Sequence, residues 1–388
     1  MRPLAARVSR LGTETAFSVL ARARALEAKG RSVIHLEIGE PDFDTPRAIV
    51  EEGRAALARG ETHYTPSAGI PELRAAIAAY LGRERGLSVD PARVVVTPGA
   101  KPIMFYTLLA RLEAGDEAIT PDPGFPIYAS MVAFAGATNV PLPLRESNAF
   151  APDLGELHSL VTPRTKLIVV NSPHNPTGGV LPPGTVRAIA ALARERDLWV
   201  LADDIYGDMV YDGAHHSLYA EEGMPERTIL LDGFSKTFAM TGWRLGFGVF
   251  PAPLVEPATK LVTNSVSCTA AFVQRAGVAA LSAPQPEVPR MMAAFRERRD
   301  AVVNGLNGIP GITCRLPAGA FYAFPNITGL RRGDAATVAD RLLEEAGVAV
   351  LAGTAFGAGG EGHLRLSYAN SLENLREAVA RIARWAAA

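Results

Sequence analysis

The stretch TILLDGFSKTFAMTGWRLG, residues 228–246, joins an apolar run to a turn of small and polar residues. The run is typical of a buried strand, since consecutive apolar residues are expected where both faces of a sheet are covered. Lys236 follows this strand closely, and no acidic residue lies between Lys236 and Arg244. These two cations therefore need a negatively charged partner from elsewhere.

The same pattern of an apolar run and a Gly- or Pro-marked turn recurs along the chain. It occurs in RVVVTPGAK (93–101), EAITPDPGF (117–125), KLIVVNSPHNPTGG (166–179) and LWVLADDIY (198–206), and RLGFGVF (244–250) is a further strand. Helical patterns over 102–115 and 182–197 lie between these runs. Alternating strands and helices predict an α/β fold with a mainly parallel sheet flanked by helices.

The sequence pattern changes near residue 286. A basic helix over 289–306 is followed by short strands within 320–327, 348–353 and 363–369, and by helical stretches over 334–346 and 371–386. We therefore predict a large domain of residues 46–285. We also predict a smaller α+β domain, made discontinuously from residues 1–45, with a helix ahead of the fold, and 286–388.

Composition excludes several functional classes. The chain of 388 residues has a net charge of −1 with scattered basic residues, which does not favour nucleic acid or an anionic membrane. No apolar stretch approaches the roughly 18 residues of a membrane helix, and the arginine-bearing N-terminus lacks the apolar segment of a secretory signal. Cys268 and Cys314 suggest a reducing compartment, so we expect a cytoplasmic protein. Metal-ligand spacings are absent from the sequence.

Chemically capable side chains follow the predicted strands. In parallel sheets, ligands bind beyond the carboxyl ends of the strands. These ends carry Gly99, Ala100, Lys101, Phe125, Asn175, Asp203, Tyr206, Ser235 and Lys236. Each residue alone has an ordinary interpretation: Lys236 as a solvated lysine, Asp203 as a structural carboxylate, Tyr206 and Phe125 as core.

One ligand would use all of these groups. Pyridoxal 5′-phosphate needs an amine for its aldehyde, a carboxylate for its ring nitrogen, an aromatic neighbour, and cations with a helix N-terminus for its phosphate. Its phosphate would then be the missing partner of Arg244. Lys236, partly dehydrated and near Arg244, is expected to have a lowered pKa, which suits Schiff base formation.

Six segments, in order, resemble those of a known enzyme family. They are IGEPDFDTP (38–46), YTPSAGIPELR (64–74), NSPHNPTGG (171–179), ADDIY (202–206), SKTFAMTGWRLG (235–246) and LRLSYA (364–369). The chain resembles the class I/II aminotransferases of fold type I, the aspartate aminotransferase superfamily. The likeness covers nearly the whole chain.

The resemblance implies a role for each matching residue. Lys236 would form the Schiff base, Asp203 would pair with the ring nitrogen, and Phe125 would stack on the ring. Asn175 and Tyr206 would bind the ring oxygen. The phosphate would lie among Arg244, Ser235 and the turn Gly99-Ala100-Lys101, with Tyr64 reaching in from the second subunit of a homodimer. Arg365, Gly39 and Asn175 would bind the α-carboxylate of the substrate.

Three positions depart from the family pattern. Gly233 replaces a hydroxyl residue, Ala100 replaces a common glycine, and Phe125 stands where many relatives have tryptophan. None of these changes removes a catalytic group.

The implied reaction is ping-pong transamination of an L-amino acid and a 2-oxo acid, with Lys236 as the proton carrier. Lys101 could bind a distal carboxylate, whereas Ala16 and Phe17 favour apolar side chains. We therefore expect aspartate/2-oxoglutarate or broad specificity, narrowly ahead of an aromatic or branched-chain preference. A C–S β-lyase or decarboxylase on the same fold remains an alternative. A dinucleotide-dependent oxidoreductase is disfavoured because no G-x-G-x-x-G follows a strand.

Overall fold

The apolar runs form strands, most of which belong to one large sheet. The computed structural model describes residues 4–388, so residues 1–3 of the predicted small domain lie outside the described residues. The strands are β1 (Ile34–His35), β2 (Val94–Thr97), β3 (Glu117–Asp122), β4 (Thr138–Pro143), β5 (Thr165–Asn171), β6 (Trp199–Asp203), β7 (Thr228–Gly233), β8 (Gly246–Val249), β9 (Tyr322–Ala323), β10 (Val348–Ala349), β11 (Leu351–Ala352) and β12 (Leu364–Ser367).

The large sheet has the order β2-β8-β7-β6-β5-β3-β4. Neighbours from β7 through β4 are parallel, whereas β8 is antiparallel to both β7 and β2. The connection from β7 to β8, residues 234–245, contains no helix, so the chain returns as a neighbouring antiparallel strand. Every residue of β2, β7 and β8 is buried. The predicted α/β class with a mainly parallel sheet is confirmed.

Helices cover this sheet and, with two smaller sheets, form the rest of the fold. They are α1 (Ala16–Glu27), α2 (Arg47–Ala58), α3 (Pro71–Arg85), α4 (Lys101–Arg111), α5 (Ile127–Ala135), α6 (Leu154–Leu160), α7 (Pro183–Glu195), α8 (Ala252–Val266), α9 (Ala271–Ser282), α10 (Glu287–Asn307), α11 (Ala335–Arg341) and α12 (Leu372–Ala387). Within residues 4–388, no helix combines the length and apolar character that a bilayer crossing requires.

The helix boundaries differ from the predicted ones for local reasons. The predicted helix over 102–115 ends at Arg111, because Leu112 has an extended backbone and its side chain is buried in the core. The helix predicted over 334–346 is α11 followed by a π-helical turn, Leu342–Ala346. Left-handed Gly347, with a φ of 65°, then ends the helical stretch.

The N-terminal segment pairs with the C-terminal part of the chain. Strand β1 lies parallel to β10, while β11, β12 and β9 form a separate antiparallel sheet. The strand predicted over 320–327 is limited to β9, since Pro325 lacks the N–H group that a longer ladder would need. These pairings agree with the proposed grouping of residues 1–45 with 286–388, although that division stays a prediction.

Candidate active site

A cavity of about 350 Å³ lies where β5, β6 and β7 end and α4 begins. The predicted site residues that line it are Gly39, Ala100, Lys101, Phe125, Asn175, Asp203, Tyr206, Ser235, Lys236, Arg244 and Arg365. Gly99 lies behind this lining, against Arg244. Tyr64 is the exception, since it is absent from the lining and its side chain is 89% exposed.

Lys236 is a half-buried amine in the turn that follows β7. Its Nζ donates a hydrogen bond of 2.5 Å to the carbonyl oxygen of Gly39. Burial lowers the pKa of Lys236 to about 8, and the positive charges of Arg365 and Lys101 act in the same direction. The lowered pKa agrees with the sequence prediction. Burial is the largest cause, and the cations that add to it are these two rather than Arg244, to which the sequence had pointed.

Asp203 is the last residue of β6 and is buried. One carboxylate oxygen, Oδ2, accepts a hydrogen bond of 2.5 Å from the hydroxyl of Tyr128, and Oδ1 accepts one of 3.2 Å from the backbone N–H of Ile205. Burial raises the pKa of Asp203 to about 6, against the lowering effect of the Tyr128 hydrogen bond. Tyr128 belongs to α5 and was not predicted as a site residue, since a tyrosine in an apolar helix is typical of core.

The turn between β2 and α4 is shaped to approach Arg244 closely. Gly99 has a φ of 81°, and a Cβ atom there would overlap the guanidinium group of Arg244. A Cβ atom on Gly246 would overlap the backbone N of Ala100. Arg244 itself has a φ of 55°, a strained backbone for a non-glycine residue that fixes the direction of its side chain.

The same turn leaves free donors at the start of α4. No side chain among residues 4–388 caps this helix at Ala100, so backbone N–H groups at its N-terminus face the turn. The Arg244 guanidinium donates from Nη1 to the backbone carbonyl of Thr241 at 2.8 Å. An uncapped helix N-terminus beside a guanidinium group is suited to bind an anion such as phosphate.

Arg365, on β12, is a buried cation that has no acidic partner among residues 4–388. Its Cζ lies 4.6 Å from the ring centroid of Tyr322 and 5.0 Å from that of Phe356. Its Nη1 donates to Oδ1 of Asn175 at 3.4 Å, and its Nη2 donates to the backbone carbonyl of Glu37. Within the described part of the chain, its buried Nε has no hydrogen-bond partner. Burial lowers its pKa, so a bound carboxylate would stabilise the charged form.

Tyr206 and Lys101 make further contacts in the lining of the cavity. The hydroxyl of Tyr206 lies 2.7 Å from that of Tyr322, a residue of β9 that was not predicted as a site residue. Lys101, the first residue of α4, forms an ion pair with Glu14, and its Nζ lies 5.4 Å from the ring centroid of Phe125. Glu14 was not predicted as a site residue either, although it lines the cavity.

Comparisons with known proteins agree with this geometry. Residues 31–382 match the family model described as aminotransferase class I and II. The chain is similar to an aspartate aminotransferase of Pyrococcus horikoshii, with 44% identity over 92% of this chain and 91% of the relative. It is also similar to an aspartate/prephenate aminotransferase of Thermus thermophilus, with 41% identity over 99% of each chain. A solved structure of Thermus thermophilus aspartate aminotransferase with maleate has a TM-score of 0.94 at 41% identity, covering 99% of this chain and 100% of that one.

Proposed function

The chain belongs to the class I and II aminotransferases, and from that membership we propose that it exchanges amino groups between aspartate and 2-oxoglutarate. It is an aminotransferase of fold type I that acts on amino acids and 2-oxo acids and depends on pyridoxal 5′-phosphate. The choice of aspartate is supported by the names of the relatives and by Lys101, a cation that could bind a distal carboxylate.

One observation carries the proposal. A half-buried amine, Lys236, and a buried guanidinium group without an acidic partner in the described chain, Arg365, line the same cavity as the buried carboxylate of Asp203. Burying such a cation is unfavourable unless an anion joins it. The α-carboxylate of an amino acid satisfies Arg365 and presents its amino group to a site that already contains the reactive lysine.

The residues of the cavity fit pyridoxal 5′-phosphate. The uncapped α4 N-terminus and the overlap of a Gly99 Cβ atom with Arg244 favour a phosphate in the turn formed by Gly99, Ala100 and Lys101. Arg244 and Ser235 complete this phosphate site. When bound, the cofactor supplies an aldehyde that condenses with amines and a protonated ring that withdraws electrons.

The other residues of the cavity would hold the ring. Asp203, whose carboxylate is kept in place by Tyr128, would pair with the ring nitrogen. Phe125 would lie against the ring face, and Asn175 and Tyr206 would donate to the ring oxygen. Each of these side chains lines the cavity, and each except Phe125 is buried. The site therefore presents each chemical group that the cofactor requires.

Arg365 holds the substrate in position, and Lys236 moves its proton. Arg365 binds the α-carboxylate through two parallel N–H groups, with help from Asn175 and the backbone of Gly39, and so fixes the direction of the Cα–H bond. The Lys236 amine, with a pKa lowered to about 8, can accept the Cα proton in its neutral form. Addition of water would then release the 2-oxo acid while its amino group stays with the cofactor, and a second 2-oxo acid would take up that amino group in ping-pong order.

The proposal extends to assembly and location. Tyr64 is a large aromatic residue with 89% of its surface exposed, and we assign it to the cavity of a second subunit in a homodimer. Cys268 and Cys314 are free cysteines, which favours the reducing environment of the cytoplasm. Fractionation of the source cells tests the location, and sedimentation of the purified protein tests the dimer.

An aromatic or branched-chain preference is the second candidate. Ala16 and Phe17 line the cavity, and Ala16 packs with Leu351 and Phe356 in one apolar cluster. Such walls suit neutral side chains. A panel of aspartate, phenylalanine and leucine as donors, each with 2-oxoglutarate, ranks the candidates by kcat/KM.

The direct experiment supplies aspartate and 2-oxoglutarate to the holoenzyme and measures oxaloacetate and glutamate. We expect both products in equal amounts, with no activity in Lys236→Ala. Glutamate formed from phenylalanine or leucine but not from aspartate would replace the proposed substrate. Alanine formed from aspartate without glutamate would show a decarboxylase instead, and pyruvate with ammonia formed from a cysteine S-conjugate would show a C–S β-lyase.

A further inference from the structure

An acidic residue, Glu14, lines the cavity beside Lys101. Glu14 precedes α1, its side chain is 20% exposed, and its carboxylate forms an ion pair with Lys101, whose side chain is 51% exposed. Both residues line the same cavity as Lys236 and Arg365. The cation that could bind a distal carboxylate is therefore already paired within the protein.

The charge of Glu14 acts on the residues that bind the substrate. It raises the pKa of Lys236 and opposes the burial that lowers the pKa of Arg365. It also acts on Tyr322, over whose ring the Arg365 guanidinium lies. Glu14 thus differs from an ordinary surface acid, because its negative charge affects the pKa values of both Lys236 and Arg365.

The other glutamate of the cavity, Glu40, is differently placed. Glu40 also lines the cavity and raises the pKa of Lys236, but its carboxylate accepts a hydrogen bond from the hydroxyl of Thr241. Thr241 in turn accepts from Arg244 through its backbone carbonyl. Glu40 therefore belongs with the turn near Arg244, whereas Glu14 belongs with Lys101.

The walls near Glu14 are apolar. Ala16, two residues after Glu14, packs with Leu351 and Phe356, and Phe356 lies under the Arg365 guanidinium at 5.0 Å. A neutral substrate side chain can contact these walls while the Glu14–Lys101 pair stays intact. A distal carboxylate must instead displace Glu14 from Lys101 and remain close to its negative charge, which is unfavourable.

We propose that Glu14 is a specificity-determining residue, whose carboxylate competes with the distal carboxylate of acidic substrates for Lys101. This inference rests on the proposed function, because it concerns the substrate of the same site. The competition lowers the preference for aspartate and 2-oxoglutarate relative to neutral partners, and it gives the enzyme a broad substrate range. Lys101 alone does not set the specificity.

The test removes the charge of Glu14 and keeps its shape. Glu14→Gln frees Lys101, so kcat/KM for aspartate should rise about fivefold, the effect of one partly exposed ion pair. The gain for aspartate should exceed any change for phenylalanine by about fivefold, because an altered pKa of Lys236 affects both donors whereas only aspartate needs Lys101. Glu27→Gln is the matched control, because Glu27 lies at the end of α1, pairs with His35 and is outside the cavity. Glu27→Gln should leave kcat/KM unchanged for both aspartate and phenylalanine.

Equilibrium binding provides a measurement that does not depend on turnover. Maleate, an unreactive dicarboxylate, should bind the Glu14→Gln holoenzyme about fivefold more tightly than the unmodified holoenzyme in calorimetric titration. Unchanged or weaker maleate binding in Glu14→Gln would overturn the inference.

A double variant shows whether Lys101 mediates the effect. In a Lys101→Met background, Glu14→Gln should no longer raise kcat/KM for aspartate or tighten maleate binding. If the fivefold gain persisted there, Glu14 would act by direct repulsion, and competition for Lys101 would be refuted. Failure of the proposed function can be told apart from failure of this inference. If the proposed function were wrong, the unmodified enzyme would not transaminate aspartate, whereas the difference in maleate binding between Glu14→Gln and the unmodified protein would still test the role of Glu14.

Discussion

Burial moves the pKa values of the two principal site residues toward each other. The pKa of Asp203 is raised to about 6 and that of Lys236 is lowered to about 8. Asp203 is therefore ionised near pH 7, as a partner for a protonated ring nitrogen must be. A tenth or so of the lysine is neutral at that pH, and the fraction grows as the pH rises. The surroundings of Asp203 and Lys236, more than their residue types, make one the charged partner of the ring nitrogen and the other a partly neutral amine.

This pair of pKa values predicts how cofactor uptake depends on pH. Uptake of pyridoxal phosphate by the apoenzyme should accelerate as the pH rises from about 6 to about 8. Below the raised pKa, Asp203 is neutral and cannot pair with the protonated ring nitrogen. Below the lowered pKa, most of Lys236 is charged and cannot attack the aldehyde. Stopped-flow absorbance measures the rate, and a rate that falls across this interval would refute the assignment.

Tyr128 should control the acidic side of that profile. Its hydrogen bond to Asp203 lowers the pKa of the carboxyl group, so Tyr128→Phe should shift the acidic limb upward by about one pH unit. Tyr106→Phe is a matched control, since the Tyr106 hydroxyl bonds to Ser265 and the residue does not line the cavity. An unshifted limb in Tyr128→Phe would show that the hydrogen bond does not tune Asp203.

At the residue scale, sequence reasoning succeeded where chemistry follows a strand end. Lys236 and Asp203 were predictable because each lies at the end of a buried apolar run. Tyr128 and Tyr322 were not, because an aromatic residue in an apolar context is indistinguishable from core. Glu14 was missed since its partner, Lys101, lies far away in the chain.

Among the elements, the C-terminus of α3 has a structural role that the sequence did not reveal. Arg85 ends α3, is almost fully buried, and donates to Asp232 of β7 at 2.7 Å and to Asp208 at 3.1 Å. Asp232 also accepts the backbone N–H of Gly233. The guanidinium group thus ties α3 to the segment that leads to Lys236.

Removal of this cation should therefore destabilise the fold. Arg85→Met leaves buried carboxylates without their partner, and the free energy of unfolding should fall by about 3–5 kcal/mol. Chemical denaturation monitored by circular dichroism measures the change. Arg54→Met, which breaks an exposed pair with Glu51, should change the free energy by less than about 1 kcal/mol. Equal effects in the two variants would refute the role of Arg85.

Elements buried on both faces were predictable, and edge elements were less so. The runs that became β5, β6 and β7 are continuously apolar, which is typical of central parallel strands. Strand β4, with the sequence TNVPLP, was missed because its prolines suggest a loop. It lies at the edge of the sheet, where a missing N–H group is tolerated.

On the scale of the whole molecule, the site depends on segments that are distant in sequence. Pairing of β1 with β10 and of β12 with β9 and β11 brings Gly39 and Arg365 to Lys236. Periodicity cannot predict such long-range pairings. The resemblance to a family provided them, since its motifs include both IGEPDFDTP and LRLSYA.

The proposed dimer gives a test of shared sites. Tyr64→Ala and Lys236→Ala subunits should each be impaired alone, but a mixture should regain activity after subunit exchange. A mixed dimer contains one site with both an intact Lys236 and an intact Tyr64. The activity of the refolded mixture, compared with that of each parent, measures the effect. Activity no greater than the average of the parents would contradict sharing.

The central claim is that a pyridoxal phosphate aldehyde is bound to the amine of Lys236. Reduction of the holoenzyme with borohydride, followed by proteolysis and mass spectrometry of the peptides, tests it most directly. The account predicts a phosphopyridoxyl group on the peptide that contains Lys236 and on no other lysine. A label on Lys101, or no labelled peptide in protein saturated with the cofactor, would contradict it.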